Sequence, residues 1–149
     1  MPNQIRPLAI CIFRDRDRIL VGEGYDPLKR EVFYRPLGGG IEFGERAEDA
    51  LRREMREELG AEIESPRYLF TLENIFAFNG EVGHEIVLVF DARLSDANLY
   101  LQETIAGVEF DGTQRLPFNA LWKNLDEFGV RAPLYPDGLL DALRSNKTC

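Results

Sequence analysis

Residues Gly38 to Glu62 read GGGIEFGERAEDALRREMREELGAE, and the second half of this stretch carries a helical pattern that contradicts itself. With about 100° per residue and Leu51 as origin, Ala47 and Met55 fall within about 40° on either side and define an apolar stripe. Glu58 lies only about 20° from Leu51 and Glu54 about 60°, so two carboxylates sit in or beside the face meant for a core. Glu57 lies further round, while Arg52 and Arg56 occupy the opposite side. Glu54, Glu57 and Glu58 follow an i, i+3, i+4 spacing, which brings their side chains to one flank of the helix. Partly burying three like charges is unfavourable unless a cation joins them. A hard, oxygen-seeking divalent ion such as Mg²⁺ answers that need.

A solvated acidic helix, paired internally with Arg52, Arg53 and Arg56, is the plainer alternative. The residues ahead of the helix weigh against it. Gly38, Gly39 and Gly40 allow close backbone approach, and Gly44 adds a bend before Glu45. A glycine-rich loop feeding an acidic helix can offer carbonyls to a metal and N–H groups to a phosphate. Gly60 supplies the helix stop after Leu59.

From Gly39 to Ala61 the chain resembles the Nudix box. Gly39, Glu45, Arg53-Glu54-Met55, Glu57-Glu58, Gly60 and Ala61 fill its fixed positions. The departures are Met55 in an aliphatic place, a small Ala61 at the end, and Leu37 where many members carry proline, with Pro36 one residue early. The resemblance implies an α/β fold of the Nudix type, an α/β/α sandwich with a mixed sheet. It also implies hydrolysis of a nucleoside diphosphate linked to another moiety, with Mg²⁺ or Mn²⁺ as cofactor. Carried over by position, Glu54, Glu57 and Glu58 bind metal with the Gly39 carbonyl, Arg53 orients a box glutamate, and Glu45 supports the loop and helix start. The general base is left between Glu57 and a carboxylate from a later strand, with Glu85 preferred over Glu103 and Glu109. If Trp122 is the tryptophan that many members carry near the last strand, the position where they place a glutamate is Asn119, which cannot act as a base. His84, the single histidine, reads as a hairpin residue rather than a proton shuttle. Arg35 is positioned to reach a phosphate beside Gly38, Gly39 and Gly40. Tyr34 and the other strand aromatics, Phe33, Phe70, Phe76 and Phe78, could stack a base, although alternating aromatics also build cores. A catalytically inactive Nudix-fold binding module is the rival reading, and a simple metal-binding protein is another; the intact glutamates, the glycine loop and Arg53 argue against both.

Outside the box, Leu8–Phe13, Arg18–Val21 and Val32–Tyr34 read as strands, and Tyr68–Phe78 with Glu85–Leu94 as a hairpin joined by a loop of more than two residues. In EIVLVFD both alternating sets are apolar, so that sheet needs cover on two sides. A short amphipathic helix over Asp137–Arg144 supplies some of it. With 149 residues, and no repeat or linker, one domain over 1–149 is expected. The net charge of −8 argues against a DNA-binding or anionic-membrane surface. The start lacks a signal-peptide layout and no run reaches the roughly 20 apolar residues of a membrane span. Cys11 and Cys149 are poor disulfide partners, so a cytoplasmic location is expected. The partner expected is a small nucleotide-type molecule, and a homodimer is compatible with the sequence.

Overall fold

A computed structural model describes residues 3–110 and 112–145; Cys149 lies outside them. Seven strands form one mixed sheet: β1 (Ile5–Asp15), β2 (Arg18–Asp26), β3 (Glu31–Gly40), β4 (Ile63–Phe78), β5 (Glu81–Leu94), β6 (Thr104–Phe110) and β7 (Arg115–Asn124). Their order is β4-β5-β1-β3-β2-β7-β6. β1 runs parallel to β5 and antiparallel to β3. Helix α1 (Ala47–Leu59) covers one face, and α2 (Leu139–Ser145) the other.

The apolar run of β1 is what makes two layers possible. Strand side chains alternate between faces. Ala9, Cys11 and Phe13 therefore enter the core under α1 with Leu51 and Met55. Leu8, Ile10 and Ile12 enter the core under α2 with Leu139 and Leu143. β5 divides in the same way, with Phe90 on the α1 side and Val87 and Val89 on the α2 side. Burial pushes the Cys11 thiol pKa well up, so this cysteine behaves as a small apolar core residue.

Three features differ from the sequence expectation. The β4–β5 connection is a two-residue turn, since Phe78 pairs directly with Glu81. Asn79 (φ 50°) and Gly80 (φ 82°) both take left-handed conformations, the demand of the tight hairpin turn that matches strand twist. His84 and Glu85 consequently lie inside β5 rather than at its entrance. Next, β3 continues through Pro36 and the three glycines. Last, β6 and β7 form a hairpin that the hydrophobic pattern conceals, because only Ile105 and Gly107 of β6 are buried.

Two hairpin tips are fastened together. Asp26, 2% exposed, accepts from the N–H groups of Leu28 (3.0 Å) and Lys29 (3.2 Å) in its own turn and of Asn79 (3.2 Å) at the β4–β5 tip. Burial alone would raise its pKa, but these donors hold it below the usual value.

Leu51 is fully buried where α1 meets the sheet. Leu51→Ala should lower the unfolding free energy by about 2–5 kcal/mol through lost contact and a residual cavity. Urea denaturation reads this directly; a loss under about 1 kcal/mol would contradict the packing described.

Candidate active site

The site begins with the way α1 is anchored. No side chain caps its first turn, whose N-cap is Arg46. Gly60 closes the other end in a left-handed conformation (φ 62°), letting the Ala61 N–H reach the Met55 carbonyl at 3.2 Å. The loop before the helix is folded on itself by Glu45, whose carboxylate accepts from the Glu42 N–H at 3.0 Å while its own N–H donates to the Glu42 carbonyl at 2.9 Å.

Arg53 joins loop, strand and helix. Its guanidinium makes a two-pronged bond to Glu45, Nε to Oε2 at 2.8 Å and Nη2 to Oε1 at 3.0 Å. Nη2 also donates to the Gly40 carbonyl at 3.0 Å. Nη1 reaches Glu54 at 2.8 Å and Glu57 at 3.3 Å. Glu45 is accordingly pulled down to about 2, by the Arg53 hydrogen bonds first and the Glu42 N–H second. The Arg53 guanidinium is in turn shifted upward by the same pairing.

Glu54 and Glu58 sit in a different environment. Glu54 lies against Gly39, where an added Cβ would stand 2.5 Å from its carboxyl carbon. Only glycine admits the carboxylate so close to the strand. Gly38, at φ 147°, has its own reason: an added Cβ would run into the backbone of Ala9 and Ile10 on β1. Burial raises the Glu54 pKa, an effect that Arg53 opposes. Glu58 is pushed up to about 8 by burial first and by the Glu54 charge next, with Glu109 adding to it; Arg35 and the Gly38 N–H oppose the shift. Its Oε1 is buried and without a hydrogen-bond partner among the described residues. Glu57 is more open, its side chain 54% exposed.

Residues 3–137 match a sequence model described as NUDIX domain. The chain belongs to the Nudix family. Members of that family act as pyrophosphohydrolases on nucleoside diphosphate derivatives. A MutT NUDIX hydrolase from Burkholderia pseudomallei aligns over 98% of this chain and 100% of its own at 21% identity, with TM-score 0.63. The E. coli ORF135 protein aligns over 98% and 93% at 20% identity, with TM-score 0.58. Both likenesses support the fold. Among curated proteins, nucleoside triphosphatase NudI is 69% identical in Escherichia coli and 73% in Escherichia fergusonii over 26 residues. That match spans 17% of this chain and 18% of the relative's length.

The Nudix box glutamates fit a hard cation in donor type and in unmet need, although they form no ready cage. Among the described residues no three of His, Cys, Asp and Glu are gathered to hold a metal, because Glu54 and Glu57 both turn toward Arg53. The fit rests on the orphaned Glu58 oxygen, the burial that disfavours charge on Glu54 and Glu58, and the close Gly39 approach.

The other sequence candidates divide by sheet face. Arg35 and Gly39, each two residues from Leu37, share its α1 side, and the Arg35 charge reaches Glu58. Tyr34 points the opposite way: it is a buried member of the α2-side core, donates to Glu23 at 3.0 Å and packs on Phe128. Glu85 shares its face with Val87 and is 7% exposed. There it accepts from Asn74 at 3.4 Å and lies 4.0 Å from Arg6. The structure therefore does not bring Glu85 to the box acids. Strand alternation is the reason, and Glu109 on β6 is the later carboxylate whose charge reaches Glu58. Arg6 escaped the sequence reading. It lines, with Gly40, Glu42 and Glu54, a cavity of about 400 Å³ at the end of β1 and β3.

The Glu58 shift carries a sign that can be tested. Folded protein free of metal holds a proton that the unfolded chain releases from about its ordinary value of 4.5 up to about 8. Stability from this group is thus fully present below the lower value and is lost as pH rises through the upper one. Chemical denaturation in EDTA should show unfolding free energy falling across this window, with a shallower slope for Glu58→Gln. An identical slope in the variant would refute the burial of Glu58.

Proposed function

We propose that this protein, as one Nudix domain over residues 1–149 acting in the cytoplasm, hydrolyses the diphosphate linkage of a nucleoside diphosphate derivative with Mg²⁺ or Mn²⁺. The observation that carries the reading is the buried Glu58 oxygen, without a partner among the described residues, beside Glu54 and the Gly38–Gly40 backbone. Glu54, Glu57, Glu58 and the Gly39 carbonyl are the residues that would hold the ion. When bound, the ion supplies charge neutralisation and Lewis-acid polarisation of the phosphoryl oxygens.

The remaining steps belong to the protein. Arg35, on the same face as Gly39, pairs with a phosphate oxygen, and Arg6 supplies a second cation from the wall of the cavity of about 400 Å³ that Glu54 also lines. Glu57, the most open box acid, accepts the proton of the attacking water; Glu109 is the alternative base, favoured over Glu85 by its face of the sheet. Arg53 and Glu45 touch no substrate and act by positioning, since they fix the orientation of Glu54 and the loop carbonyl of Gly40. Phe33, edge-on to Phe78 and tilted against Tyr135 at centroid distances of 6.0 and 5.6 Å, offers an aromatic surface for a nucleobase, a role Tyr34 is too buried to fill.

The 26-residue likeness to nucleoside triphosphatase NudI makes nucleoside triphosphates the first substrates to try. Sugar nucleotides and dinucleoside polyphosphates complete the panel, each assayed for phosphate or pyrophosphate release with and without Mg²⁺. Turnover that requires the metal is expected. Tight ligand binding with no turnover on any member would instead favour an inactive binding module. Glu58→Gln and Glu57→Gln should each lower kcat by orders of magnitude while circular dichroism stays unchanged; full activity in either would remove that residue from the reading.

Arg53→Ala should cost about 10–100-fold in metal affinity or activity, the usual effect of losing a residue that orients ligands. Titration of Mg²⁺ against activity distinguishes the two, and unchanged metal dependence together with unchanged kcat would contradict the positioning role.

A further inference from the structure

A cavity of about 910 Å³ lies far from the Nudix box. It opens at the other end of β1, where Arg14 stands six residues beyond Leu8, the partner of Gly40. At about 3.3 Å per strand residue the separation is about 20 Å. Five arginines line it: Arg14, Arg16, Arg67, Arg93 and Arg144. Among the described residues two acidic ones, Asp17 and Asp91, line it as well, so these side chains carry a formal charge of +3 in a chain of net charge −8.

Such a concentration of like charge against the trend of the whole surface needs a cause. Internal pairing accounts for part of it. Arg67 makes a two-pronged bond to Asp91 at 2.6 and 3.3 Å, and Arg144 is held on the Leu125 carbonyl at 3.1 Å. Arg14 donates through Nε to the Arg16 carbonyl at 3.3 Å. Its Nη1, however, is buried and without a partner among the described residues. Arg16 and Arg93 are exposed at the rim. A buried guanidinium N–H without an acceptor carries the full cost of desolvation, and an incoming anion removes it. Ile12, Leu125 and Leu143 form an apolar back wall, and the volume exceeds what a lone phosphate requires.

We propose that this cavity is a second ligand site, separate from the hydrolytic one, that binds a phosphate-bearing organic anion of nucleotide size. The guanidinium forks take the phosphate oxygens, as planar two-pronged donors do. The aliphatic wall takes the rest of the molecule. The reading does not depend on the substrate assigned to the Nudix box, because it uses no residue of that site.

Calorimetric titration of the intact protein in EDTA tests it, with adenosine triphosphate and inorganic pyrophosphate as probes. Wild type should bind the nucleotide saturably. Arg14→Met, which keeps the aliphatic stem, and Arg93→Ala, at the exposed rim, should each weaken binding at least about tenfold. Arg35→Ala, at the Nudix box, should leave it unchanged. Pyrophosphate binding of equal strength assigns the phosphate chain as the determinant, and stronger nucleotide binding adds the nucleoside. Thermal denaturation checks that both variants are folded. Absence of saturable binding to wild type overturns the proposal. So does binding that survives in Arg14→Met and Arg93→Ala, or that falls equally in all three variants.

Discussion

Everything at the Nudix-box end of the molecule hangs on one guanidinium. Arg53 has donors committed to Glu45, Glu54, Glu57 and the Gly40 carbonyl. A helix, the loop entering it and the last residue of β3 thereby share a single rigid fork. Lysine could not replace it, because a point charge lacks the planar two-pronged geometry that Glu45 receives. The arrangement also settles which acids are kept charged. Glu45 is held ionised by direct pairing, whereas Glu58, out of reach of that fork, is left with a burial cost and an open oxygen. Within a few residues, one carboxylate is thus held charged by the arginine and another is buried away from it.

The second organising constraint is the alternation of β1. Because it is apolar on both faces, it forces a sheet with two independent interiors, and each neighbouring strand inherits the division. Arg35, Gly39 and Glu109 turn to the α1 layer, while Tyr34 and Glu85 turn to the other. The length of β1 matters as well. Its two ends carry two cavities, one lined by Glu42, Glu54, Gly40 and Arg6 and one rich in arginines.

Much of this was legible in the sequence. The helix boundaries Ala47–Leu59 agree with the structure because a strong period and a terminal glycine both mark them. The Nudix family and the α/β/α architecture followed from one window of fixed residues together with doubly apolar strands. What escaped the sequence did so for physical reasons. β6 and β7 bury few side chains and so lack a strong signal, although Ala120 and Trp122 do alternate inward. The Asn-Gly pair announced a two-residue turn, yet Gly83 drew the reading toward a longer loop. The preference for Glu85 ignored strand parity: two residues from Val87, it could only share that residue's face. Arg6 is near Glu54 only because β1 and β3 end together, a relation that spacing in the chain does not reveal.

The fastening of the two hairpin tips by Asp26 has an asymmetric consequence. On one side the link is a side chain, and on the other it is the main-chain N–H of Asn79. Any residue except proline brings that donor to position 79, so its chemical identity matters only for reaching φ 50°. The strength of the fastening is therefore written at position 26 and its geometry at position 79. A lineage could change the character of the tip freely while keeping it docked, so long as the aspartate stayed.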